Sequence, residues 1–168
     1  MNALGTRFAV LALSSALVAG CGGYSTESLH RTDVRTVAVP IFASHEFRRE
    51  LEFELSKELV KMIEQRTPYK VVQDRTRADT ELRGEILDLQ SPVLAEDVRS
   101  DSPIDIEVTV SCWFEWKDLR TGEMLAQQPN LRASASYAVA IGETLDSATT
   151  EALRRLAERI VEAMEKDW

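Results

Sequence analysis

The 168-residue chain is poor in the residues that most site chemistry requires. It holds two cysteines, two histidines and seven glycines. Cys21, Cys112, His30 and His45 show no metal-ligand spacing, so no metal or cofactor is expected. No G-x-S-x-G and no phosphate-cradling glycine loop occurs. The abundant Asp and Glu fall at helix-surface or alternating strand positions, where solvation is the default. The chain is therefore read as non-catalytic. Positive charge is also scarce: 20 Lys and Arg stand against 28 Asp and Glu, a net charge of −8 with no basic run. Such a surface repels nucleic acid and anionic headgroups overall. The longest apolar run, Phe8–Ala19, is too short to cross a bilayer, which takes about 20 residues.

What is present begins with that run. One positive charge, Arg7, precedes it, and small residues close it at Val18-Ala19-Gly20-Cys21. This is the layout of a signal peptide over 1–20. The cysteine at its end resembles the bacterial lipobox, which implies a thioether-linked diacylglycerol on Cys21 and cleavage before it. Two or more acyl chains give stable membrane attachment. With Cys21 lipidated, Cys112 has no partner for an intrachain disulfide. Residues 21–33 are Gly, Ser, Thr and charge, the composition of a flexible tether. Gly22 stands where an Asp retains some bacterial lipoproteins at the inner membrane, so the address leans to the outer membrane. A single domain is expected over 34–168.

Within that domain, Thr36–Phe42 is a β-branched, nearly all-apolar run that predicts a buried strand ending near Pro40. From Glu46 to Arg66, Phe47, Leu51, Leu55, Leu59, Met62 and Ile63 fall on one helical face. Pro68 stops the helix, and Tyr69–Val72 starts another strand. Ala78–Leu89 predicts a further strand with Leu82, Gly84 and Ile86 on one face; Gly84 marks a bulge or a close backbone approach. Gln90–Pro103 reads as a long loop. Ile104–Trp116 alternates strictly between apolar and polar residues. Asp118–Glu123 predicts a hairpin with Gly122 at positive φ. Its return strand includes Met124–Leu125, breaks at Gln127–Asn130 around Pro129, and resumes with Ala133, Ala135, Tyr137 and Val139. A last amphipathic helix is expected over Thr144–Lys166. The order predicts an α+β two-layer sandwich, with two helices packed on one face of a largely antiparallel sheet of about four strands.

Three residues sit oddly on this pattern. Trp113 lies on the polar face of its strand, where it either anchors an interface or packs against a neighbouring strand. Phe53 and Val60 lie beyond the edge of the first helix's apolar stripe, as a wide core stripe or as a partner contact. Cys112 is on the apolar face and reads as a small buried hydrophobe. Asp74–Asp79 reads as a charge-mixed turn.

The chain resembles the LPS-assembly lipoprotein LptE family. The residues that carry the likeness are Cys21-Gly-Gly-Tyr24, the Thr36–Phe42 strand, Leu51–Val60, Tyr69–Val72, the Ala78–Ile86 strand and the closing helix. The resemblance implies an outer-membrane lipoprotein on the periplasmic side, inserted as a plug in the large β-barrel (LptD-like) translocon that exports lipopolysaccharide and aiding its assembly. It also implies possible contact with lipopolysaccharide itself, for which Arg83, Arg99, Arg120 and Arg132 are the candidates, although the chain is acidic overall. The first strand and helix are also similar to TolB-like and curli-secretion-like envelope lipoproteins, which implies the alternative of an oligomeric or scaffold component.

Overall fold

A computed structural model describes residues 29–44, 50–96, 103–138 and 142–165. The chain runs β1 (Thr36–Ala38), β2 (Ala43–Ser44), α1 (Leu51–Arg66), β3 (Lys70–Val72), a short 3-10 turn (Arg75–Arg77), β4 (Thr80–Gln90), β5 (Val93–Glu96), β6 (Pro103–Asp118), β7 (Met124–Ala138) and α2 (Leu145–Glu162). The spine is β6, which pairs antiparallel with β7 along one edge and with β4 and β5 along the other. Beyond β4 lie β1 and β2, both parallel to it, and β3 lies parallel to β1 outside them.

Among the described residues the sheet is thus mixed and seven-stranded, which corrects the expected largely antiparallel sheet of about four. The cause is α1. A helix between two strands carries the chain back to its starting end, so β1 and β3 must run the same way. The apolar run at Thr36–Phe42 also divides at Pro40, which lacks an N–H to donate, into β1 and the approach to β2. Part of the expected long loop forms β5, and the break expected at Gln127–Asn130 takes the form of a register shift within a continuous β7.

The two-layer arrangement holds. α1 buries Leu51, Leu55, Leu59, Met62 and Ile63, and α2 buries Ala148, Ala152, Leu153, Leu156, Ala157, Ile160 and Val161. The helices touch each other, and α2 lies on β6 and β7. They close one core with Leu82, Ile86, Val108, Val110, Cys112, Phe114, Trp116, Ala133 and Ala135. Each fully buried large aliphatic contributes about 1.5–3 kcal/mol, so this single core is what holds the fold. α2 begins with a capping box, in which the Thr144 hydroxyl accepts from the Ser147 N–H and the Ser147 hydroxyl from the Thr144 N–H.

Two local devices fix the strands. At Gly84 a methyl group would run into the Phe42 ring and the Trp113 backbone carbonyl, so the close approach expected there is real. Asp79, expected to belong to a mere charged turn, staples β1 beside β4. Its carboxylate accepts from the backbone N–H groups of Arg35 and Thr36 and from the Thr36 hydroxyl, each at 3.0 Å. These bonds, led by the one from Arg35, hold its pKa below the ordinary carboxylate value.

Candidate functional site

Alternation along β6 sorts its side chains to two different fates. Val108, Val110, Cys112, Phe114 and Trp116 are buried beneath the helices. Thr109, Trp113, Glu115 and Lys117 are half-buried on the other face, and Ser111 between them is buried. Both described helices lie on the inner side, and among the described residues no helix packs on this outer face.

The free edge of β7 is, by contrast, blunted. Arg155 donates to the Ser134 carbonyl at 2.8 Å and Arg159 to the Arg132 carbonyl, while the Ala138 N–H is taken by the Glu143 carboxylate at 2.8 Å. Charged groups on an edge discourage pairing with another strand. The surface left for contact is the face rather than this edge.

Trp113 stands at the centre of that face. On β4 its register partner is Glu85, whose carboxylate accepts the indole N–H at 2.8 Å. On β7 it has two residues opposite, because pairing jumps from Phe114–Gln128 to Cys112–Leu131. That is a β-bulge at Pro129 and Asn130. A second irregularity sits on β4, where pairing passes from Ile86–Cys112 to Asp88–Ser111 and leaves Leu87 as the extra residue. Bulges bend a strand and re-aim its side chains. Between these two the sheet opens into a cavity of about 390 Å³ lined by Leu87, Trp113, Phe114, Glu115, Gln127, Gln128 and Pro129. Beside it, Arg83 donates to Glu115 at 2.6 Å.

The other candidates scatter. Phe53 is 56% exposed on α1, and Val60 is half-buried on the same helix. Ile41, 59% exposed, was not singled out from the sequence. Arg120, in the β6–β7 turn, pairs with Asp118 at 3.0 Å and lies 3.9 Å from Asp33. Arg132 donates to Asn130 on β7 at 3.2 Å. The three described arginines therefore share no common pocket, and each already has a polar partner. Arg99 and the anchor candidate Cys21 lie outside the described residues. Glu85, Leu87 and Pro129 were missed as site residues. Their sequence traces were the alternation of β4 and the adjacent apolar pair Ile86-Leu87, with a proline that reads as a strand break.

Cys112 is buried, and desolvation pushes its thiol up to about 12, so it stays protonated and unreactive at neutral pH. Among the described residues no group of His, Cys, Asp or Glu forms a metal cluster. None of their helices is long and apolar enough to cross a membrane. The chain ahead of β1 is already held at His30 and Arg31: the His30 ring meets Tyr69 edge-on at 5.8 Å, and the Arg31 N–H donates to the Tyr69 hydroxyl at 2.9 Å.

Residues 34–164 match the family model described as LptE: Lipopolysaccharide-assembly. No curated protein matches the chain. Among solved structures, the chain is similar to an uncharacterised lipoprotein B from Nitrosomonas europaea, with a TM-score of 0.56 at 11% identity over 83% of this chain and 86% of that one. A hypothetical protein from Chlamydia trachomatis gives 0.54 at 15% identity, over 78% of this chain and 98% of that one. The PelC dodecamer from Paraburkholderia phytofirmans gives 0.52 at 12% identity, over 84% and 96%. At these identities the likeness is one of fold.

Proposed function

The chain belongs to the LptE family, the lipopolysaccharide-assembly lipoproteins of the cell envelope, and from that premise we propose that it is a non-catalytic plug and assembly partner of an outer-membrane β-barrel. In this reading Cys21 carries the lipid that anchors the protein to the outer membrane, with the domain on the periplasmic side. The barrel is the lipopolysaccharide export translocon, an LptD-like protein. The observation that supports the reading is the outer sheet face, on which no described helix packs, with Trp113 set between two bulges and held by Glu85. A large aromatic in a half-desolvated, well-oriented position is the typical anchor of a protein interface. Phe53 on α1, 56% exposed, with Val60 behind it, adds a contact on the helix layer for a partner that surrounds the domain. Direct headgroup contact through Arg83, Arg99, Arg120 and Arg132 fits less well, because the three described arginines are dispersed and already paired.

The test is a pull-down of tagged, full-length protein from detergent-solubilised outer membranes, with mass spectrometry of what accompanies it. A stoichiometric large β-barrel is the expected result. Self-association with no barrel would favour the alternative, an oligomeric envelope scaffold of TolB-like or curli-secretion-like type, which the fold's likeness to a dodecamer makes worth measuring. The anchor is tested separately. Cys21→Ala is expected to leave the precursor uncleaved and free of acyl label, and normal acylation would overturn that part of the reading.

A further inference from the structure

We propose that the end of the domain where β1, β3 and β4 begin is seated on the bilayer that holds the lipid anchor, with Arg35, Lys70 and Arg77 against anionic phospholipid headgroups. This rests on Cys21 being the lipidated residue, and it goes beyond that reading by fixing which end of the domain the membrane meets.

Chain length restricts the orientation. The lead-in to β1 is fixed to the domain well ahead of the strand. The His30 ring meets Tyr69 at 5.8 Å, the Arg31 N–H donates to the Tyr69 hydroxyl at 2.9 Å, and Val34 is buried. The Asp79 carboxylate then takes the N–H groups of Arg35 and Thr36. Eight residues lead from Cys21 to Leu29, and fully extended they reach at most about 29 Å. β6 has 16 residues and so spans about 50 Å. Its Asp118 end stands opposite Thr80, at the start of β4, which makes its Pro103 end the far one. So short a leash cannot seat the far end on the bilayer, whereas the near end is within reach.

Charge selects among the orientations that remain. β3, β1 and β4 are neighbours and run parallel, so their first residues gather at one end of the sheet. Lys70 opens β3 and donates its N–H to the Arg35 carbonyl at 2.9 Å, just ahead of β1. Arg77 closes the 3-10 turn that leads into β4. All three side chains are exposed, and among the described residues none has a hydrogen-bond or ion-pair partner. The carboxylates at this end are already engaged. Glu81 holds Arg75 at 2.8 Å, Asp118 holds Arg120 at 3.0 Å with Asp33 at 3.9 Å, and Asp74 accepts from the Thr76 N–H at 2.9 Å. An anionic membrane surface attracts clustered Lys and Arg within a Debye length of about 8–10 Å. The chain as a whole, at −8, is repelled by that surface. A domain with unpaired cations at one end and net negative charge elsewhere turns that end to the headgroups.

The experiment uses the acylated protein in vesicles of phosphatidylethanolamine and phosphatidylglycerol that carry a nitroxide on the headgroup. A fluorophore is placed on Gln65→Cys, at the end of α1 next to β3, or on Ser91→Cys, just past the far end of β4; both positions are exposed. Cys112 is buried and Cys21 is blocked by its lipid, so the added thiol takes the label. The expected result is quenching about threefold or more stronger at the first position than at the second. Arg35→Gln with Lys70→Gln and Arg77→Gln should cut that contrast to less than about half, and so should about 1 M salt or vesicles without phosphatidylglycerol. The melting temperature should hold, since the fold uses none of the three side-chain charges. Equal quenching at the two positions, or a contrast indifferent to both the cations and the lipid charge, would overturn the proposal. Mass spectrometry of Cys21 separates the two readings. An unmodified cysteine sinks the anchor and this inference with it, whereas a lipidated cysteine with equal quenching sinks this inference alone.

Discussion

Trp113 and Trp116 stand three residues apart on β6 and on opposite faces of one sheet. Trp116 is 1% exposed, lies 5.7 Å from the Tyr69 ring, and belongs to the core under the helices. Its indole N–H is buried with no hydrogen-bond partner among the described residues. Trp113 is half-buried, its N–H is satisfied by Glu85, and it borders an open cavity. One indole has surrendered its polar group for packing, at a desolvation cost of about 1–3 kcal/mol. The other keeps its polar group satisfied and leaves apolar surface unused by the fold. The contrast teaches that the first residue serves stability, and it supports assigning the second to the partner contact proposed above.

The largest effect should come from the core side. Trp116→Ala is expected to destabilise the domain by about 3–5 kcal/mol, seen as a lower denaturant midpoint, because it opens a large cavity among buried neighbours. A loss under about 1 kcal/mol would erase the distinction between the two tryptophans. Next comes Gly84→Ala. The added methyl meets the Trp113 carbonyl and the Phe42 ring, and overpacking of this kind costs about 1–3 kcal/mol. Since the obstacle includes backbone, relaxation is limited, and urea unfolding should detect the change.

Trp113→Ala should move the melting temperature by a few degrees at most, in keeping with the small effect of substitutions outside the core. It should nevertheless weaken co-purification of the β-barrel. A collapse in stability would place this residue in the structural set, and an intact complex would remove it from the interface.

The smallest effect concerns the solvent side of α2. Hydrogen bonds from Arg154, then Arg155, lower the Glu151 pKa from 4.5 to about 2. Its folded value lies below its unfolded value, so its contribution is complete above pH 4.5 and fades as pH falls towards about 2. The side chain is 36% exposed, so solvent screens the ion pairs and the contribution is small. Glu151→Gln should flatten the acid limb of stability between those two values and leave neutral pH nearly unchanged. An unaltered acid limb would show that these pairs contribute nothing.

Much of this organisation is visible in local sequence. Period two along β6 predicts the buried set Val108, Val110, Cys112, Phe114 and Trp116, and period 3.6 predicts both helices and their buried sides. Gly84 announced a close approach, and the Asp118–Glu123 hairpin turns where expected, with Gly122 at φ 78° and its N–H bonded to the Asp118 carbonyl at 2.9 Å. Each of these follows from geometry within a few residues, where side-chain spacing alone decides which way a group points.

Tertiary structure decided the rest. β1 and β3 run parallel because α1 carries the chain across, a consequence of how far-apart segments meet. Asp79 became a staple only when Arg35 and Thr36 arrived beside it from more than forty residues away. The register slips at Leu87 and Pro129 lie on two different strands, and they make a cavity because β6 brings them to the same tryptophan. Sequence determined that Trp113 would face away from the core. Whether it met a neighbour or an opening depended on pairing register, a long-range property that one strand's alternation does not carry.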